Sequence, residues 1–435
     1  MSQNAPDAPL AQHPVVANAR ILAASLVGTA VEFYDFYIYA TAAALVLGPL
    51  FFPAQSAAAQ TLLAFMTVGL AFVARPVGAI AFGHFGDRIG RKSTLVASLM
   101  LMGGSTLLIA FLPTYAMVGP VAPALLCLLR FGQGFGLGGE WGGAALLAVE
   151  NAPKGWEGRF GSAPQLGAPL GFLAANGLFL LLSLHLSEAE FSSWGWRIPF
   201  LASALLVGVG LWVRLRIGET AAFAEAKSRA PLPHVPIRQL FADHAGAVVA
   251  GVAGVVACFA LFYLATTFAL AFGTKILGYK REAFLSVQLA ANAFFALGIV
   301  LAGWWADKSS ARTVLAWGAG ATMVMGLVFG VGLGSGHLSV VFLTLSAGLF
   351  IMGFTYGPLG SWLPTLFAVP VRYTGISLAF NLGGIIGGGV APFAASWFAA
   401  KGGTAYSGAF LTVAGVVTLV GVLAARPVGR LRRKG

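Results

Sequence analysis

Twelve times along 435 residues the chain runs for about twenty residues or more with scarcely a charge, and only short polar turns separate most of the runs. They cover residues 21–50, 61–82, 93–113, 122–149, 161–185, 197–217, 245–273, 283–306, 313–334, 338–366, 374–400 and 406–425. A bilayer core about 30 Å thick takes roughly 20 helical residues to cross, so each run is long enough to span. Hydrocarbon offers no partner to a free backbone N–H or C=O, so such a segment closes its hydrogen bonds within itself as a helix. Charged residues are 9% of the chain, where a soluble domain carries about a quarter. The reading is an all-α polytopic membrane protein with 12 transmembrane helices.

The placement of charge sets the orientation. The formal net charge is +12, and an even number of spans puts both termini on one side. Loops on that side hold Arg88, Arg91, Lys92, Lys154, Arg159, Arg214, Arg216, Lys227, Arg229, Arg238, Lys308, Arg312 and Arg372, besides Arg20 and the tail from Arg426 to Lys434. The other side has Arg197, Lys275, Lys280, Arg281 and Lys401. Positive loops stay inside, so both termini are expected in the cytoplasm. The same scatter argues against a nucleic-acid partner, which needs Lys and Arg clustered among aromatics on one soluble face. Residues 1–19 lack a basic n-region and the following run is too long for an h-region, so no cleavable signal peptide is expected. Cys127 and Cys258 lie within apolar runs and read as small hydrophobes rather than as a disulfide or a metal pair.

The longest internal polar stretch, Gly218 to His244, follows the sixth run and divides the chain in two. The expected organisation is a cytoplasmic tail 1–20, a six-helix bundle 21–217, a cytoplasmic linker 218–244, a second bundle 245–425 and a basic tail 426–435. A repeat supports it: Gly83, Asp87, Arg88 and Lys92 of GHFGDRIGRK match Gly303, Asp307, Lys308 and Arg312 of GWWADKSSAR. Two pseudo-symmetric six-helix bundles are what a rocking transporter needs.

The first run carries two acids, Glu32 and Asp35, on one helical stripe with Gly28 and Tyr39. An ionised side chain at mid-bilayer costs at least about 3 kcal/mol, so the pair needs a function or a partner. At about 1.5 Å per residue, Asp35 lies roughly 21 Å up its helix, and Arg130 roughly 12 Å down span four from the other side. Both fall at similar depth, whereas Arg75 reads as lying toward the cytoplasmic end of span two. Two carboxylates beside one guanidinium leave a negative charge uncompensated, so one acid is expected to take up a proton. Asp35 and Glu32 are the coupling candidates, and Arg130 is expected to hold a substrate carboxylate or the deprotonated acid. The bland alternative is a static salt bridge.

GHFGDRIGRK resembles the loop signature of the major facilitator superfamily. GTAVEFYDFYIY (Gly28 to Tyr39), RFGQGFGLGGEWGGA (Arg130 to Ala144), SWGWRIPF (Ser193 to Phe200) and VRYTG (Val371 to Gly375) resemble its metabolite:proton symporter family. The resemblance implies the major facilitator fold, alternating access and proton-coupled uptake of a small metabolite, carboxylate-bearing or zwitterionic, by a functional monomer in a bacterial inner membrane. It also implies a cytoplasmic latch of Gly83, Asp87, Arg88, Gly90, Arg91 and Lys92 with Glu150, Arg159, Asp307, Arg312 and Arg372, whose alternative is a solvated turn. Glu140 fits either the latch or the proton route. Two departures are Ser309, Ser310 and Ala311 in the second loop copy, and Thr365 where relatives often carry Glu.

Further candidates for the substrate cavity are Tyr34, Tyr39, Gln133, Gln165, Asn176, Tyr263, Gln288, Asn292, Tyr356 and Asn381. Each could equally bond a neighbouring helix. Phe259, Phe262 and Tyr263 could close over an apolar substrate body. Gly134, Gly136 and Gly139 match a dinucleotide fingerprint, but no strand precedes them, and the overlapping GxxxG spacings favour helix packing. No phosphate-binding loop occurs, so nucleotide is not the fuel, and no cofactor or metal site is readable. A facilitator, exchanger or exporter on the same fold is the main rival. A membrane enzyme or receptor is the remote one, for want of a nucleophile–base pair or a sizeable soluble domain.

Overall fold

The computed structural model describes residues 14–54, 56–89, 91–138, 140–216, 236–368 and 371–428. All regular elements among them are helical. Eleven helices are long and apolar enough to cross a membrane, and one shorter apolar helix completes a set of twelve. In chain order they are α1 (Ser25–Phe51), α2 (Ala57–Phe82), α3 (Arg91–Ile109), α4 (Val121–Glu150), α5 (Glu157–His185) and α6 (Gly195–Trp212). The second half holds α7 (Leu240–Lys275), α8 (Arg281–Lys308), α9 (Ala311–Leu333), α10 (Leu338–Leu366), α11 (Arg372–Lys401) and α12 (Tyr406–Ala424). The helix that carries α7 starts at Pro236 and breaks within α7 at His244 (φ −131°, ψ 18°), one residue before 245, where the seventh span was expected to begin.

Packing repeats between the halves. Helix α1 lies on α5, α2 on α4 and α3 on α6; α7 lies on α11, α8 on α10 and α9 on α12. These are the same three pairings six helices apart, which makes two matching six-helix bundles. They meet where α2 and α4 pack on α11, and α5 on α8. One face carries the start of α1, the end of α12 and the turns after α2, α4, α8 and α10; it is called the terminal face below, and its opposite the far face.

Close helix contact explains the glycines of α4. A Cβ on Gly136 would stand 2.8 Å from both the Met102 nitrogen and the Ser98 oxygen of α3. Gly134 faces the Ala71 backbone of α2 and Gly138 that of Arg75 and Ala79. Gly298 and Gly353 make the matching contact between α8 and α10. These neighbours are backbone and cannot swing aside. Gly136→Val is therefore expected to destabilise the protein by at least about 2 kcal/mol, read as a lowered Tm and poor recovery of folded protein.

Three spans depart from regular α geometry: Ala43–Leu47 in α1, Leu264–Phe268 in α7 and Ile385–Gly389 in α11 form π-turns. Pro49 cannot donate to the Leu45 carbonyl, nor Pro392 to that of Gly388, and a π-turn precedes each proline. In α7, Thr266 donates instead to the Phe262 carbonyl at 2.6 Å. The π-turns of α1 and α7 occupy equivalent places in the two halves and touch each other toward the far face.

Candidate functional site

The interior polar residues divide into a cluster inside the first half and a chamber between the halves. Asp35 belongs to the cluster. Its side chain is 0% exposed, its Oδ1 accepts a 2.5 Å hydrogen bond from Ser203 Oγ of α6, and its Oδ2 has no partner. Gln133 of α4 donates from Nε2 to the Asp35 main-chain oxygen and to Thr106 Oγ1 of α3, each at 2.9 Å. The same Gln133 accepts from Arg130, whose Nε donates to the Thr67 carbonyl at 3.3 Å. The Arg130 guanidinium lies 3.9 Å above the Tyr39 ring and 4.6 Å from that of Phe36, with Nη2 unpartnered. Tyr39 shares a hydrogen bond with Thr67, and Tyr34 donates to the Pro199 carbonyl at 2.9 Å.

The static salt bridge that was the bland alternative is not seen among the described residues. Among the described residues Arg130 pairs with neither acid; Gln133 stands between it and the Asp35 backbone. Aromatic faces and carbonyl dipoles hold the guanidinium, which leaves the Asp35 carboxylate without a cation. Tyr34, Tyr39, Arg130 and Gln133 all face helices of their own half, so in this closed form they line neither interior cavity. Glu32 is nearly buried and bears electrostatically on Arg75 and Tyr356.

The chamber lies between the halves. Its walls are Phe33, Phe36, Tyr37 and Arg75 from the first half, and Cys258, Phe259, Phe262, Tyr263, Met352 and Tyr356 from the second. Arg75 is 5% exposed, with its guanidinium 4.3 Å from the Phe36 ring and 4.7 Å from that of Phe72. Its backbone lies toward the terminal-face end of α2, in a helix that continues to Ile89, and its side chain reaches the chamber. A second cavity, lined by Thr41, Asn176, Thr266, Thr267 and Gln288, lies on the other side of Tyr37 and Phe262, whose rings stack with centroids 4.8 Å apart. Each cavity has room for about one water molecule.

Three of the polar candidates tie the halves together. Gln165 of α5 donates to the Tyr356 carbonyl at 3.0 Å and accepts from Trp141 Nε1 at 3.0 Å. Asn292 of α8 donates to the Pro169 carbonyl, and Asn381 of α11 to that of Gly138, each at 2.9 Å. Gln165 and Asn381 answer one another across the pseudo-symmetry. Of the second-half candidates, Tyr263 and Tyr356 line the chamber, with Phe259 and Phe262 beside them.

At the terminal face, Asp307 accepts from Arg159 Nε at 2.5 Å, from the Gly158 N–H at 2.6 Å and from the Arg159 N–H at 3.3 Å. Its carboxylate therefore seats on the first turn of α5, where free N–H groups and the helix dipole favour an anion. Arg372 and Glu150 approach to 3.9 Å as an exposed pair, worth at most about 1 kcal/mol. Arg312 reaches the Val422 and Leu423 carbonyls at the end of α12, a contact within the second half rather than across the latch. Gly83, Asp87, Arg88, Gly90, Arg91, Lys92 and Glu140 lie outside the residues whose side chains are described.

The far face holds a latch that the loop charges did not disclose. Arg281 of α8 donates to Ser183 Oγ at 2.8 Å, pairs with Glu188 at 3.1 Å and lies 3.6 Å above the Phe191 ring. Lys275 donates to Thr61 Oγ1 at 3.0 Å. Arg281→Gln removes the ion pair and most of the ring contact. It is expected to raise labelling of a cysteine placed at Ser183 by a polar maleimide added from that face, several-fold over a Ser183→Cys control.

Both faces are closed over a polar centre between two matching bundles, and that arrangement defines a membrane transporter. The family model described as "Sugar (and other) transporter" matches residues 21–232. The chain is 45% identical to the inner membrane metabolite transport protein YhjE of Escherichia coli, over 94% of each chain. It is 37% identical to the Escherichia coli shikimate transporter over 86% of each, and 33% identical to a putative proline/betaine transporter of Staphylococcus haemolyticus over 91% of this chain and 84% of that one. Among solved structures, a D-xylose-proton symporter superposes with a TM-score of 0.71 at 17% identity, covering 93% of this chain and 96% of the other. The chain belongs to the major facilitator superfamily and, within it, to the metabolite:proton symporter family. It is a multi-pass membrane transporter of metabolites and not an enzyme.

Proposed function

We propose that this protein takes up a small organic acid or zwitterion together with a proton, by alternating access, as a monomer in a bacterial inner membrane with its terminal face in the cytoplasm. The observation that carries the reading is Asp35. It is fully buried with one oxygen unpartnered, and among the described residues no cation touches it. A buried carboxylate with an unpartnered oxygen has a place for a proton. Release then needs a state in which water or a cation reaches it. Arg130 is one Gln133 away, and it is the group that receives the deprotonated carboxylate once that amide shifts. Glu32 is the second candidate for the proton. The Asp307–Arg159 contact, supported by Glu150 and Arg372, serves as the cytoplasmic latch, with the loop from Gly83 to Lys92 as its first-half counterpart.

The names of the relatives support the substrate class: one transports shikimate, another is described for proline and betaine, and the solved neighbour is a proton symporter. Uptake into cells or proteoliposomes against a gradient is expected to collapse on adding a protonophore, with counterflow retained. Uphill uptake that survives the protonophore would assign the protein to facilitators or exchangers instead.

A further inference from the structure

We propose that the substrate's anionic group is a single carboxylate seated on Arg75, in the chamber between the halves, while Arg130 stays within the first half. The inference rests on the transport reading above and names the substrate class of that site. Among the described residues lining the two interior cavities, Arg75 is the one charged side chain. Its Nε is buried without a hydrogen-bond partner. Instead it lies against the faces of Phe36 and Phe72. Those rings stabilise the cation and orient its N–H groups without using them up. A guanidinium with an unpartnered Nε–H in a buried chamber is a group that can take a carboxylate.

The geometry also selects against other ligands. Arg130 lies behind Phe36 and lines neither cavity, so a ligand entering between the halves meets Arg75 first. The faces that would cage a quaternary ammonium already hold Arg75, and its charge repels a second cation. A second carboxylate would meet Phe259, Phe262 and Met352 rather than a cation. A neutral hydroxylated or ring-shaped body fits that wall, and the unpartnered Tyr356 hydroxyl is there to bond it. Most of the opposing wall comes from α7 and α10, so the room that the closed form lacks opens directly over Arg75 when the halves part.

The test uses the full chain, purified in detergent, with thermal-shift titrations of shikimate, benzoate and lactate, their methyl esters, succinate and glycine betaine. At least one monocarboxylate is expected to raise Tm in a concentration-dependent way, with its ester inert. Arg75→Gln should weaken that response at least tenfold, and Arg75→Lys by less. Because Arg75→Gln can fail to fold, a second measurement uses the wild type. Modification of Arg75 by phenylglyoxal, located by peptide mass, should be slowed by the same monocarboxylate and not by its ester. Undiminished binding in Arg75→Gln, binding of betaine but of no monocarboxylate, or no response to any monocarboxylate would each overturn the proposal. Protonophore-insensitive uptake with carboxylate binding at Arg75 would refute the coupling reading and leave this site standing; the reverse pattern would do the opposite.

Discussion

Asp35→Asn is expected to abolish uphill accumulation while leaving substrate exchange measurable. Asparagine has the shape of the protonated acid: its amide oxygen can still accept from Ser203, as Asp35 Oδ1 does at 2.5 Å. Asparagine places an NH2 where the unpartnered Oδ2 stood, so a buried polar atom remains and Tm should stay close to that of the wild type. What it cannot do is release and rebind a proton. Exchange, which returns the carrier loaded, needs no such release and should persist. Net uptake should fall to equilibration. With one proton per monocarboxylate the cycle moves no net charge, so a pH step of one unit, worth about 1.4 kcal/mol, supports about tenfold accumulation. In the variant that ratio should be about one-fold, whatever gradient is imposed. Wild-type accumulation by Asp35→Asn, measured with a radiolabelled substrate in proteoliposomes, would remove Asp35 from the coupling step.

Much of this fold could be read from the chain because a bilayer allows few solutions. Runs long enough to span must be helices, and their number and the charge of the intervening loops order the bundle. The glycines of α4 were legible too, since GxxxG spacing is a local property; Gly136 against Ser98 and Met102 is where it acts. The site was legible by residue type and not by pairing. Glu32, Asp35 and Arg130 stood out as charges in apolar helices, but sequence depth alone could not show Gln133 standing between Arg130 and Asp35. The loop boundary set at Gly83 also cut short a helix whose backbone continues to Ile89. Arg281 gave no signal beyond being a far-side basic residue. Its partners Ser183, Glu188 and Phe191 belong to another bundle about a hundred residues away, and only the assembled halves bring them together.

The second large effect is expected at the terminal face, where Asp307→Ala should shift the protein toward a form open on that side. Asp307 has a side chain only 2% exposed, and it joins the second half to the start of α5 through three bonds. Two use backbone N–H groups of the first helical turn, whose donors find no partner inside the helix. Arg159 is a third exposed, so its ion pair is screened and counts for less than the backbone bonds. Charge-assisted bonds of this kind give a coupling of about 3 kcal/mol, roughly a hundredfold in the ratio of closed to open forms. The exposed Glu150–Arg372 pair is too weak to offset that loss. Ser162, buried and donating to the Gly357 carbonyl across the same seam, is the reporter position. With Cys127 and Cys258 replaced by alanine, a cysteine at Ser162 should react slowly with a polar maleimide added from the terminal side. Adding Asp307→Ala should speed the reaction by tenfold or more, whereas Glu150→Gln should change it by less than about threefold. Unchanged labelling in Asp307→Ala would mean that the packing of Gly158 on Gly303, rather than the carboxylate, keeps this face shut.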